Sequence, residues 1–170
     1  MPEPRWNAEW ATRPSEEARN LNPAFCAELL ARTVGEYHKN RQKPVSIATT
    51  YLVLPLVLHA PTRDALPGRS NTAFGTWLAE HTSMLTEFPL RTTRLQPVSR
   101  EAVIFAIRHR VLKIADGGLA PGEKAIRLSA KPTPSTDEVD SVRSAAMLLG
   151  RWFASQVTES AILQGFGVAP

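Results

Sequence analysis

A chain of 170 residues with 43% apolar and 21% charged side chains is long enough to bury about 70% of its unfolded surface around one core, which excludes a mini-protein held by metals or disulfides. The single cysteine, Cys26, has no intramolecular partner, and the opening MPEPRWNAEW carries charges and prolines where a signal peptide has an apolar stretch, so the sequence reads as cytoplasmic. Twenty basic against sixteen acidic residues leave a net charge of +4, too little to name a partner before its distribution is known.

Residues 1–20 combine Pro2, Pro4 and Pro14 with Trp6 and Trp10 and show no apolar period, the pattern of an irregular arm. Two tryptophans are costly to leave in water. The arm is therefore expected to lie across its own domain or a partner, with Trp6 and Trp10 as partner-binding residues, and residues 21–170 are expected to form a single domain. Asn22 suits an N-cap and Pro23 the first helical position, and Phe25, Leu29, Leu30, Val34 and Tyr37 recur at helical spacing, which predicts a helix ending near Asn40. Between Val45 and His59 the run YLVLPLVL suits a buried strand or a buried helix. Pro55 removes a ladder donor and favours the helix. The run is far shorter than the roughly 20 residues of a membrane span.

Pro61 to Asn71 is turn-rich, and a short helix is predicted from Thr72 to His81 with Phe74, Trp77 and Leu78 on one side. Thr82 or Ser83 then suits the cap of a piece carrying Met84, Leu85, Phe88 and Leu90. Pro97 and Ser99 mark a new start, with Ser99 as N-cap and Val103, Ile104, Ile107 and Val111 as the core-facing stripe. VLKIADGG and KAIRLSA both alternate, and Asp116-Gly117-Gly118 with Pro121-Gly122 supply turn residues between them, which predicts a two-stranded hairpin with a longish loop. KPTPSTDE reads as a linker whose Ser135 or Thr136 caps a last helix, buried through Val139, Val142, Ala146, Leu149, Trp152 and Phe153; Gly165 and Gly167 stop any continuation.

No Walker lysine motif, HExxH, CxxC or GxSxG occurs, and Gly122-Glu123-Lys124 lacks both the upstream glycine and the following hydroxyl of a phosphate loop. His38, His59, His81 and His109 are scattered singly. Glu80 beside His81 is the one adjacent carboxylate, and neighbours on a helix diverge by about 100° and cannot share a metal well. No catalytic residue, metal site or cofactor is expected. A small hydrolase around His59 and Asp64, or His81 and Glu80, would need a pocket that sequence cannot show, and Cys26 beside Phe25 reads as a buried hydrophobe. Trp77, Phe88, Trp152 and Phe153 read as core.

The basic residues are unevenly placed. Arg91, Arg94, Arg100, Arg108, Arg110 and Lys113 fall within one 23-residue window whose sole acid is Glu101, so the window is more positive than the whole chain. Helices followed by a hairpin is the order of a winged helix-turn-helix, in which the last helix enters a groove and its cations meet phosphates. The expected fold is mainly α, a helical domain with a winged helix-turn-helix-like core and one β-hairpin wing. The six cations are candidate nucleic-acid contacts, and the competing reading is a solvated or protein-binding face.

WATRPSEEARNLNPAFCAELL, YLVLPLVLHAPTRDALP, LLGRWFASQV and ILQGFGVAP together resemble the middle component of bacterial three-component ABC-ATPase conflict systems, most specifically at Asn22-Pro23-Ala24-Phe25 and from Leu54 to Arg63. The resemblance implies a non-enzymatic, winged-helix-like adaptor in Lamassu-like antiphage defence, bridging an SMC- or RecN-like ABC ATPase to an effector or to DNA, with no catalytic residues to carry over. A free-standing winged-helix transcription regulator would share the fold and the basic window. The aromatic arm and the Gly-Phe-Gly tail favour docking on partners.

Overall fold

The computed structural model describes residues 21–156 and 158–169, so the expected arm with Trp6 and Trp10 lies outside the described residues. Helix α1, Pro23–Arg41, starts where its local chemistry dictates: the Asn22 side chain accepts from the amides of Ala24 and Phe25, and Pro23 fills the first turn. Its burial is not confined to one stripe. Cys26, Leu29, Leu30, Val34 and Tyr37 are buried, and so are Arg32, Thr33 and Glu36, which makes α1 the central helix around which the others pack.

After α1 come strand β1, Val45–Ser46, and the short helices α2, Ile47–Thr50, and α3, Val53–Val57. The expected helix in this apolar run is present but broken at Tyr51-Leu52. Pro55 sits in the first turn of α3, where its missing amide proton would have had no intrahelical role. Helices α4, Ala60–Asp64, α5, Phe74–Glu80, and α6, Thr82–Leu85, wrap the end of the domain. The expected Thr82 or Ser83 cap is replaced by His81, whose side chain makes no capping bond, and Phe88 belongs to the next helix.

That helix, α7, runs unbroken from Phe88 to Arg108, so the predicted start at Ser99 is wrong. Pro97 is tolerated inside it because the carbonyl it orphans belongs to Thr93, on the exposed side. Ser99 is fully buried, and its hydroxyl has no hydrogen-bond partner among the described residues. Helical phase carried through Pro97 corrects the predicted stripe at one position: Val103 is buried and Ile107 and Val111 pack against the core as expected, joined by Thr92, Val98, Ala102 and Ala106, while Ile104 is 40% exposed.

Strands β2, Leu112–Ala115, and β3, Gly118–Pro121, form a hairpin as expected in this region, but through a two-residue Asp116-Gly117 turn with φ of 47° and 76° and not through the longish loop expected. Two consecutive positive φ angles are what an Asp-Gly pair accommodates. The second strand lies earlier than predicted. Gly118 lets the Val45 carbonyl approach where a Cβ would clash, so β1 pairs with β3 and the antiparallel order is β1-β3-β2. Residues 124–130, expected as a strand, instead form a strap over α1. Arg32 donates to the carbonyls of Leu128 and Ala130 at 3.1 and 3.0 Å, and Leu128 covers Gly35.

Helix α8, Asp137–Ala154, is capped by Thr136 as predicted and has Asp137, Glu138 and Asp140 in its first turn, favourable to its dipole. It crosses α1 closely at Gly150, and Thr33 donates to the Ala146 carbonyl at 2.8 Å. A further helix absent from the prediction, α9, Glu159–Gly165, is capped by Thr158. Its Glu159 carboxylate accepts from Tyr37, the Ser46 amide and Thr49, latching α9 to α1 and to the β1–α2 junction. Phe166 then enters an aromatic core with Phe74, Phe88, Trp152 and Phe153, beside Trp77. The indoles of Trp77 and Trp152 donate to the carbonyls of Ala65 and Thr72. The fold is thus mainly helical with one small antiparallel sheet. Among the described residues no helix is long and apolar enough to cross a membrane.

Candidate interaction surface

The six cations of the basic window do not act as one group. Arg91 is withdrawn: its guanidinium donates to the Thr62 hydroxyl at 2.9 Å and to the Pro55 carbonyl at 3.4 Å, and lies 6.0 Å from the Phe88 ring. Burial lowers its pKa, partly offset by Glu87. It clamps α7 to the α3–α4 region, which sets it apart from the other five cations of the window. Arg94, Arg100, Arg108, Arg110 and Lys113 are exposed. Arg110 pairs with the exposed Glu123 at 3.2 Å, a contact worth at most about 1 kcal/mol in water.

Arg110 has a second role. Its amide bonds to the Ile107 carbonyl and that of Val111 to Ala106, closing α7 in a Schellman arrangement with Arg110 at φ 59°. The chain thereby turns from α7 into β2 within three residues.

Helix periodicity sorts the remaining positions. Leu90, Arg94, Pro97, Glu101, Ile104 and Arg108 recur at intervals of four and three and form a single straight stripe along α7, with Arg100 on its flank. Leu90 is 54% exposed and Ile104 40%, and Ile114 in β2 is 62% exposed. These are the large exposed apolar side chains among the described residues, and all three fall within or beside the basic window. The second half of the stripe forms one wall of a groove of about 450 Å³, closed on the other side by Asn22, Pro23 and Ala24 at the start of α1. His109 packs against Phe105 at its end with the rings tilted by 33° and their centres 4.2 Å apart.

Composition and spacing pointed to the cations and missed the apolar half of this surface. The sequence pattern puts Leu90 and Ile104 on two different helices, and their separation of 14 positions, two heptads, gives them a common face once α7 is continuous.

Elsewhere, His59 and His81 bond to neighbouring groups, while the buried Nδ1 of His38 has no hydrogen-bond partner among the described residues. The Nδ1 of His59 bonds Thr62 at 2.7 Å, and partial burial and Arg91 hold its pKa below the usual imidazole value despite Glu87; Asp64 is exposed. His81 bonds the Trp77 carbonyl at 2.7 Å and stacks on its indole, while Glu80 points into solvent. Burial, helped by the charge of Glu101, pushes the Cys26 thiol up to about 12. No group of three metal-ligating side chains occurs among the described residues. An apolar cleft of about 470 Å³ lies between the start of α1, Leu58 with Arg63 of α4, and α8, where Arg63 donates to the Val57 carbonyl and to Glu138 while its Nε has no hydrogen-bond partner among the described residues.

In comparisons with known proteins, the family model for the ABC-three component (ABC-3C) system Middle Component 3 matches residues 10–170. No curated protein and no solved structure matches the chain.

Proposed function

We propose that this chain, which belongs to the Middle Component 3 family of ABC-three component systems, is a non-catalytic adaptor subunit. It connects an SMC- or RecN-like ABC ATPase to an effector component in a cytoplasmic antiphage defence complex. The observation that carries this reading is the family match itself, which spans residues 10–170 and so takes in the helical core, the sheet and the exposed face of α7. Membership in a multi-component family favours a subunit over a free-standing winged-helix regulator. The engagement of His59 and His81 with neighbouring groups and the burial of Cys26 support a binding role over a hydrolytic one.

A second reading, DNA contact, draws support from the strand order. A strand after the first helix, a hairpin after α7 and the order β1-β3-β2 suit a wing set beside a recognition helix. In this reading Arg94, Arg100, Arg108, Arg110 and Lys113 meet phosphates, and affinity falls with salt at a log–log slope of about −0.9 per phosphate.

Trp6 and Trp10 remain the proposed partner anchors of the arm, because aromatic side chains dominate binding energy at interfaces. Co-expression with the ATPase and effector components of the same system tests the adaptor reading. The tagged chain should co-purify with both, and deleting residues 1–12 should leave it folded while weakening assembly at least tenfold. Failure of the intact chain to co-purify with either component would reject the adaptor. Unchanged assembly after the deletion would reject the arm. ATP hydrolysis by the purified chain alone, lost in His59→Ala or His81→Ala, would reject a non-catalytic role.

A further inference from the structure

We infer that the outer face of α7 is a docking seam for an acidic amphipathic helix of a partner component, and not a track for a phosphate backbone. The inference rests on the adaptor reading and specifies the chemistry of one contact. Three features of the surface carry it.

The first is its apolar content. A phosphate backbone rewards cations and hydrogen-bond donors, and a helix evolved only for it gains nothing from presenting a half-exposed leucine and isoleucine to water. Leu90 and Ile104 stand 54% and 40% exposed on the stripe that carries Arg94 and Arg108. An amphipathic helix uses both kinds of group, apolar side chains as anchors and carboxylates as their neighbours.

The second is spacing. The stripe from Leu90 to Arg108 alternates steps of four and three, the repeat by which two helices keep a common seam. At about 1.5 Å rise per residue it is about 27 Å long, room for five turns of a partner helix, and its two apolar positions are about 21 Å apart. The complementary helix therefore has apolar residues two heptads apart and Asp or Glu opposite Arg94, Arg100 and Arg108.

The third is charge and support. The exposed cations of the stripe and its flank, Arg94, Arg100 and Arg108, outnumber its one acid, Glu101, so an acidic helix is the complementary partner. The seam is also backed by a rigid core, since the opposite face of α7 buries Phe88, Val98, Ala102 and Ala106. Docking needs no ordering of the helix that receives it, which lowers the entropic cost of binding.

The test uses the full chain co-expressed with its own ATPase and effector components, plus a 20-base-pair duplex as a separate probe. Two double variants separate the two halves of the surface: Leu90→Ser with Ile104→Ser, and Arg94→Glu with Arg108→Glu. All four side chains are exposed, and unchanged thermal melting of each variant verifies that the fold is intact. The expected result is that both double variants weaken assembly with one and the same component at least tenfold, while the serine variant leaves duplex affinity unchanged. Assembly untouched by the serine variant overturns the inference, and duplex binding lost in the charge-reversal variant at the same time assigns the face to nucleic acid instead. In both cases the adaptor reading stands as long as the wild-type chain still assembles. Loss of assembly by the wild-type chain is the separate outcome that removes the adaptor reading and the inference together.

Discussion

At the scale of single residues, the charged groups that matter most to this fold are those drawn inside it. Arg143 donates to Glu28 at 2.7 and 3.1 Å and Arg32 at 2.9 Å, and Arg32 in turn holds the strap at Leu128 and Ala130. Burial alone would raise the Glu28 pKa, but the hydrogen bonds and charges of Arg143 and Arg32 outweigh it, and the net shift is downward. A carboxylate with a depressed folded pKa contributes stability that is present above its unfolded pKa of about 4.3 and is lost as pH falls through the folded value. Glu28→Gln should therefore cost about 2 kcal/mol near pH 7, the scale of hydrogen bonds to charged groups. Denaturant titrations of the two proteins between pH 7 and pH 3 should converge at the acid end. A pH-independent difference would mean that Glu28 acts by shape and not by charge. Arg91 teaches the same lesson from the other sign, since a cation that looks like a ligand for phosphate is a donor to Thr62 and Pro55.

Between elements, glycines decide how near two helices or strands come. Gly150 on α8 faces the Thr33 carbonyl and the Glu36 side chain of α1, and a Cβ there would collide with backbone. Relief would require α1 and α8 to separate along the whole crossing, which also stretches the bond from Thr33 to Ala146. Gly150→Ala should cost about 1–3 kcal/mol, the usual penalty of overpacking. Gly75 in α5 makes the opposite case: it is exposed, and a Cβ there meets nothing within 4 Å. Gly75→Ala should stabilise by up to about 1 kcal/mol through helix propensity alone. Thermal melts of the pair should move in opposite directions, and a shared sign would show that the α1–α8 crossing is not the tight contact described.

At the scale of the whole molecule, α9 closes the fold from its far end. Phe166 is 1% exposed, its ring 4.9 Å from that of Phe88 and 5.5 Å from that of Phe74, so a residue near the C-terminus completes a core built from α5, α7 and α8. The latch at Glu159 adds polar bonds to Tyr37, Ser46 and Thr49, and burial together with the Glu159 charge and hydrogen bond pushes the Tyr37 hydroxyl up to about 12. Phe166→Ala should cost about 3–5 kcal/mol, as expected when a large buried aromatic leaves a cavity. Equilibrium unfolding in urea checks this. A loss below about 1 kcal/mol would make α9 an appendage.

What the sequence determined by itself is what short-range chemistry controls. Asn22 with Pro23 and Thr136 with its acidic first turn placed the starts of α1 and α8, because a cap is a bond between a side chain and an amide two or three residues away. Asp116-Gly117 marked a turn after β2, because its two positive φ angles are a local demand, though not the two-residue length of that turn. The tertiary structure alone decided the rest. Pro97 breaks a helix in isolation, yet α7 persists because packing on both sides of it outweighs one missing bond. KAIRLSA alternates like a strand, yet Arg32 captures its neighbouring carbonyls and β1 takes the open edge of β3. The candidate surface divides the same way: the cations were visible as a local excess of charge. Arg91 leaving that group, and Leu90 and Ile104 joining it, depended on the phase of a helix whose continuity only its long-range contacts maintain.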